Sequence, residues 1–361
     1  MISVYIHLPF CYSICSYCDF CKLYYDKSLV KTYLDALENE IKISYKGEEI
    51  KTIYIGGGTP SALDIDELKH LFKILDIFNK KNMVEYTIEA NAESLDRDKL
   101  LLFKENGINR ISIGVQTFNE RLLKVLGRKH DKKMIINAIA LSKSVGITNI
   151  NIDLIYGIYD QSLNDLKSDI NMFLSLDIPH VSFYSLIIEP HTRLYINSFK
   201  ELDEDTNALM YQYINDTLES HNYHHYEISN YSKVGYESKH NLVYWHNEQY
   251  YGFGLGSSSF IDKRRYENTR SINKYLDGFY MLNEEVLSDR KMMENEMILG
   301  LRLLDGVNKN NFYQKYHQKM EDVFPIEQLI ARGLIVEQNG MCSIPSERLF
   351  ISNSILIEFL E

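Results

Sequence analysis

Short apolar runs and amphipathic stretches alternate along the first half of the chain. Runs of strand length, rich in Ile, Val and Tyr, fall at Ile2–Leu8, Lys51–Ile55, Val84–Ala90, Arg110–Gly114, Asn149–Ile155 and His180–Leu186. Between them, apolar residues recur at three- and four-residue steps over Val30–Ile43, Ile65–Phe78, Lys132–Val145 and Leu163–Leu176. That spacing buries one face of a helix. Strands that alternate with helices predict a parallel sheet with right-handed crossovers. Six βα units fall short of the eight that close a barrel, so the expected fold is α/β, an open partial (β/α)6 barrel. Its site belongs at the carboxyl ends of the strands, where the loops diverge.

The pattern changes near Leu287. Helices are expected at Glu296–Leu304, Asn311–Tyr316 and Ile326–Arg332, then a hairpin of Leu334–Glu337 and Met341–Ile344 turning at Asn339-Gly340. Helices followed by a hairpin suggest a small helical, winged-helix-like domain. The expected division is 1–200 for the barrel, 201–285 for an extension of it and 286–361 for this C-terminal domain.

Composition narrows the function more than the fold. Hydrophobic residues make up 45% of the 361, enough for a large core. No apolar run approaches the roughly 18 residues that would span a bilayer. The opening Met1–Ile6 is strand-like and lacks a basic leader, which predicts a cytoplasmic protein. A net charge of −11 argues against general nucleic-acid binding, which relies on neutralising phosphates. The tyrosines are scattered and read as core and surface filler.

Three of the five cysteines crowd into one loop after the first strand, Cys11, Cys15 and Cys18 in a C-x3-C-x2-C spacing. Cysteine thiolates are the usual ligands of iron–sulfur clusters. A three-cysteine loop on a four-iron cubane leaves one iron open to an exchangeable ligand. The amine and carboxylate of S-adenosylmethionine suit that iron. A disulfide framework is disfavoured by the sparse cysteines. A structural zinc site wants four ligands, and only Cys21 would complete one locally. Cys342 reads as a small buried hydrophobe.

The other strand ends are also chemically loaded. Gly56-Gly57-Gly58-Thr59-Pro60 follows the second strand, without the Lys-Ser/Thr of a P-loop or the order of a dinucleotide fold. Glycines there let backbone approach a ligand and expose its N–H and C=O groups. Glu89, Gln116 and Asp153 close the third, fourth and fifth strands. Polar groups inside a barrel must find partners, so the three are expected to face one polar ligand, each with a structural hydrogen-bonding role as its alternative.

In order along the chain, these segments resemble the oxygen-independent coproporphyrinogen oxidase-like family of radical S-adenosylmethionine proteins. The resemblance runs through Tyr5-Ile6-His7-Leu8-Pro9-Phe10-Cys11, the glycine segment and Glu89-Ala90-Asn91. It continues through Gly114-Val115-Gln116-Thr117-Phe118, Leu126-Gly127-Arg128-Lys129-His130, Asp153-Leu154-Ile155-Tyr156-Gly157 and Tyr226-Glu227-Ile228-Ser229-Asn230. It implies a [4Fe–4S] cluster on Cys11, Cys15 and Cys18, with Tyr5 beside cluster and cofactor. It also implies S-adenosylmethionine held by Gly57, Gly58, Thr59, Glu89, Gln116, Arg128 and Asp153. Arg128 is expected to meet the cofactor carboxylate as a fork, or else to pair with a protein carboxylate.

Two branches of that family compete. The oxidase decarboxylates a porphyrinogen and carries a further cysteine two places after the third. Here that place is Phe20, and the loop starts at residue 11 without the oxidase's longer N-terminal extension. Both departures point to the haem-chaperone branch, whose H-N-x-x-Y-W pattern is matched by His240-Asn241-Leu242-Val243-Tyr244-Trp245. That match implies haem near His240, Tyr244 and Trp245, with His240 as iron ligand and His246 as the alternative. A core aromatic cluster around a satisfied histidine is the competing reading. The glycine-rich Tyr251–Phe260 is expected to close one wall of the site. In this family the C-terminal module covers the open side of the barrel, and a lid or docking role is expected of it. The expected partners are haem and a haem-accepting protein, in the cytoplasm or at the membrane face.

Overall fold

A computed structural model describes residues 1–360. The six expected strands form as β1 (Ile2–Leu8), β2 (Ile50–Gly57), β3 (Glu85–Asn91), β4 (Arg110–Gln116), β5 (Asn149–Tyr156) and β6 (His180–Ser185). They lie side by side in chain order, every neighbouring pair parallel. The longest helices between them run Lys27–Ser44, Ile65–Leu75, Arg97–Glu105, Lys132–Ser144 and Leu163–Ser175, with a shorter one at Glu120–Leu126. Each of the five longest starts on an Asp or Ser whose side chain accepts from the first-turn amides.

Six more strands extend the sheet: β7 (His224–Glu227), β8 (Asn230–Ser232), β9 (Tyr250–Phe253), β10 (Ser258–Ile261), β11 (Arg264–Asn268) and β12 (Met281–Val286). The order is β12-β11-β10-β9-β1-β2-β3-β4-β5-β6-β8-β7, an open twelve-stranded sheet. β9 is a seventh parallel strand, beside β1. It lies in the glycine-rich segment whose small residues mask a strand pattern. Gly252 belongs there because a Cβ would lie 2.0 Å from the Ser258 carbonyl oxygen.

The two faces of the parallel strands differ sharply. Val4, Ile6, Ile53, Ile88, Ile111, Ile152 and Val181 point to the helices and are buried in one core. The alternate positions turn inward and carry Tyr5, Thr52, Tyr54, Glu85, Glu89, Arg110, Ser112, Asn151, Asp153 and His180, many bonded to one another across strands. The barrel is therefore apolar outside and polar within.

The C-terminal region holds a three-stranded sheet of Val307–Asn308, Met341–Ser343 and Val336–Gln338, with helices at Lys309–Tyr316 and Ile326–Ala331. Asn339 and Gly340 both have positive φ, 52° and 77°, as a tight hairpin turn demands. Cys342 is buried in the middle strand. One expected helix is displaced: instead of Glu296–Leu304 it spans Asp289–Gly300, because Ser288 caps it and the chain turns at Leu301–Leu303.

Candidate functional site

The cysteine loop crosses the carboxyl end of the barrel. It is clamped by Ser16, whose N–H donates to the Leu126 carbonyl at 2.9 Å and whose carbonyl accepts from Leu194 N–H at 2.9 Å. Gly127 makes the clamp possible, since its φ is +71° and a Cβ there would lie 2.7 Å from Ser16 Oγ. Cys11, Cys15 and Cys18 then line one pocket with Gly57, Gly58, Thr59, Glu89, Asn91, Gln116, Arg128 and Asp153. Cys21 turns away into a neighbouring chamber. It stands apart from the other three sulfurs.

The thiols are electrostatically prepared in different ways. Burial pushes the Cys11 thiol up to about 11, against the Thr59 hydroxyl 3.5 Å from its sulfur. Arg128 Nη1 donates to Cys15 Sγ at 3.2 Å. Its Nη2 donates to Asn91 Oδ1 at 2.8 Å and to the Gly114 carbonyl at 2.6 Å. Nε has no partner. Arg128 thus keeps Nε–H and one Nη1 hydrogen unspent, while its two Nη2 hydrogens are committed within the protein.

The glycine run departs from expectation. Its amides are spent inside the protein: Gly57 on Glu89 Oε2 at 3.0 Å, Gly58 on the Leu8 carbonyl and Thr59 on the Phe10 carbonyl. Any backbone contact to a ligand there falls to carbonyls. Gly57 has φ +114° and its missing Cβ would strike the His7 ring at 2.7 Å, while a Cβ on Gly58 would lie 2.7 Å from the Pro9 backbone. These glycines seat the loop against β1 and do not mainly leave room for a ligand.

Glu89 and Asp153 both face the barrel interior. Burial raises Glu89 to about 7, with Tyr54 Oη donating to it at 2.8 Å. Burial also raises Asp153, held by Asn151 at 2.8 Å and Ser112 at 3.1 Å. Gln116 sits at φ +64° on a bulge of β4, and its buried Oε1 lacks a partner. A non-glycine residue held there with an unmet acceptor marks a position shaped for a ligand. The orphan Gln116 oxygen and Arg128 Nε, three thiols and two raised carboxyls in one pocket fit a cluster with a polar, amine-bearing cofactor. Tyr54, Asn91 and Ser112 were not assigned from sequence. Their signal was the inward, every-second-residue polar register.

Tyr5 stands close enough to Glu89 of the cysteine pocket to feel its charge. Its hydroxyl meets His7 Nδ1 at 3.1 Å, and it lines the neighbouring chamber with Cys21, Tyr244 and Tyr250. His240 lies on the short helix Lys239–Trp245, at the amino end of the barrel. Its Nδ1 is 2.8 Å from Thr52 Oγ1 and its Nε2 2.8 Å from Tyr244 Oη. It is 1% exposed, and burial lowers it to about 3. With both nitrogens engaged, His240 presents no lone pair to an iron in this conformation, against the expectation that it ligates haem. Trp245 packs under the Arg302 guanidinium at 5.7 Å, and His246 is exposed on the outer surface.

The sequence matches the radical SAM superfamily over residues 5–173 and the HemN C-terminal domain over residues 287–347. This is a radical SAM protein. It is 39% identical to the heme chaperone HemW of Bacillus subtilis, over 100% of this chain and 99% of the relative. It is 33% identical to the HemW of Escherichia coli, over 99% and 98% of the two chains. Its fold matches coproporphyrinogen III oxidase (HemN) from Escherichia coli with a TM-score of 0.87 at 22% identity, over 99% of this chain and 89% of that one. The chain belongs to the HemW family.

Proposed function

We propose that this protein is a haem chaperone that holds a [4Fe–4S] cluster and S-adenosylmethionine and passes haem to an acceptor protein. The observation that carries the reading is full-length similarity to proteins of that name, joined to a three-thiol pocket with Phe20 where the oxidase branch has its further cysteine. Cys11, Cys15 and Cys18 hold the cluster. Gly57–Thr59, Glu89, Gln116, Arg128 and Asp153 surround the cofactor. Cluster and cofactor together supply one-electron chemistry when bound. The chain's own part is to set the Arg128 guanidinium against the Cys15 sulfur and to receive amine or hydroxyl donors on Glu89 and Asp153. The HNxxYW helix shapes the haem region through Tyr244, and the setting is cytoplasmic, with the membrane face as a place of delivery. No helix of the described residues is long and apolar enough to cross a membrane.

The test is anaerobic reconstitution followed by two assays on the same protein. Haem uptake, followed by its absorption band, supports the chaperone. Decarboxylation of coproporphyrinogen under reducing conditions, with no haem uptake, makes the protein an oxidase instead. A reconstituted protein without iron and sulfide returns the loop to a zinc reading.

A further inference from the structure

Next to the cysteine pocket, and sharing Phe20 with it as a wall, lies a second chamber of about 300 Å³. That is at the lower end of small-molecule pockets, roughly 300–1,000 Å³. Its walls include the rings of Tyr5, Phe20, Tyr244 and Tyr250, flat surfaces suited to a planar apolar ligand. Arg270 stands at its edge, exposed, with neither an ion pair nor a hydrogen bond among the described residues. Asp19 shares the wall and is exposed like Arg270, so solvent screens both charges.

The chamber also contains a free soft donor. The interior histidines are spent: His7 on Tyr5 and the Cys21 carbonyl, His180 on Asn151 and Tyr226, His240 on Thr52 and Tyr244. The half-buried Cys21 sulfur has no hydrogen-bond partner; burial pushes its thiol up, the nearby Arg270 and Lys22 charges oppose that shift, and a metal that binds the sulfur displaces its proton. A thiolate is an established type of axial ligand to haem iron. The larger groove at the amino end of β1, about 1080 Å³, is a poorer home for an anion. It is lined by Glu48, Glu248, Asp262 and Asp289, while its Lys263 and Lys315 are paired to Asp289 and Glu296.

We propose that haem sits in the second chamber, its ring against Tyr244 and Tyr250, a propionate on Arg270 and the iron facing Cys21. The assignment rests on the haem-chaperone reading and gives it a location. His240 then acts through Tyr244, whose hydroxyl it holds, and is a positioning residue.

The experiment titrates ferric haem into the full-length, cluster-reconstituted protein and records the Soret band and the low-spin electron paramagnetic resonance signal. Arg270→Gln should weaken binding about tenfold, with Arg270→Lys recovering part of it. Cys21→Ser should move the Soret band and abolish the thiolate signature. Both variants should retain wild-type iron and sulfide, since neither residue lines the cluster pocket as a ligand. Unchanged affinity in Arg270→Gln together with an unchanged spectrum in Cys21→Ser overturns the location while leaving the chaperone reading intact. So does a loss of binding in His317→Ala, on the larger groove, with both chamber variants normal. A wild-type protein that takes up no haem overturns the chaperone reading and this assignment with it.

Discussion

At the scale of single residues, the site is defined by what each side chain is prevented from doing. Gly57 is the sharpest case. A side chain there meets a disfavoured φ of +114° and the His7 ring at 2.7 Å. Gly57→Ala should therefore destabilise the apo protein by about 2 kcal/mol or more, read as a shift in denaturant midpoint. Gly47 is the control, because its φ is +90° with nothing within 4 Å of a Cβ, and its replacement by Ala should cost only about 1 kcal/mol. A Gly57→Ala protein of normal stability that fails to bind S-adenosylmethionine would restore the view that the glycine simply makes room for the ligand. The cysteines give a second contrast. Cys11→Ser, Cys15→Ser and Cys18→Ser should each lose the cluster on reconstitution, whereas Cys342→Ser should keep it, its side chain lying in the C-terminal sheet. Comparable iron loss in Cys342→Ser would undo the assignment.

At the scale of elements, the sequence announced the six central strands and four of the helices between them within a few residues, because those segments carry long, clean apolar periodicity; it did not announce Arg97–Glu105. Nor did it announce β9, which is four residues long and carries Gly252, with no side chain to show a period, in its middle. The polar inner face was missed for a related reason. Tyr54, Asn91 and Ser112 sit at alternate positions inside strands that read as apolar when judged only by their outward residues. The H-N-x-x-Y-W segment stands out in the sequence, but its placement needs the fold. The helix Lys239–Trp245 is pinned inside the barrel by Glu85, which accepts from Lys239 N–H at 2.8 Å and His240 N–H at 3.1 Å. His240→Ala would strip Thr52 and Tyr244 of a buried partner and leave a cavity, costing about 2–4 kcal/mol. Trp245 is the sole tryptophan, so its fluorescence follows that helix directly. The expected result is a lowered unfolding midpoint in the fluorescence trace with iron–sulfur content unchanged. Equal midpoints for variant and wild type would mean the histidine is not a brace.

At the scale of the whole molecule, buried titratable groups of opposite kind set the response to pH. Burial raises Glu40 and Glu227 to about 7 and Asp169 to about 6. The folded state of each holds its proton longer than the unfolded chain does, so each loses stability as pH rises from about 4 towards its folded value. Burial lowers His225 to about 4 and His240 to about 3. There the unfolded chain takes the proton first, and stability is lost as pH falls below about 6.5. The two sets oppose each other between about 4.5 and 6.5, which predicts a broad stability maximum in that window for the apo protein. Below it the histidines act alone. Above it the glutamates do. Glu227 is the most informative of them, because it lies where β7 meets the C-terminal region, bridged to Leu303 and bonded to Asn230. Glu227→Gln keeps an acceptor for Asn230 and removes the buried charge. Relative to wild type, the variant should gain about 3 kcal/mol between pH 5 and pH 8, from about 1.4 kcal/mol per pH unit over the shifted range. Denaturant melts at several pH values measure it. Wild-type and variant curves that stay parallel across that range would show that Glu227 already ionises normally, and that the joint between barrel and C-terminal region is wetter than its packing implies.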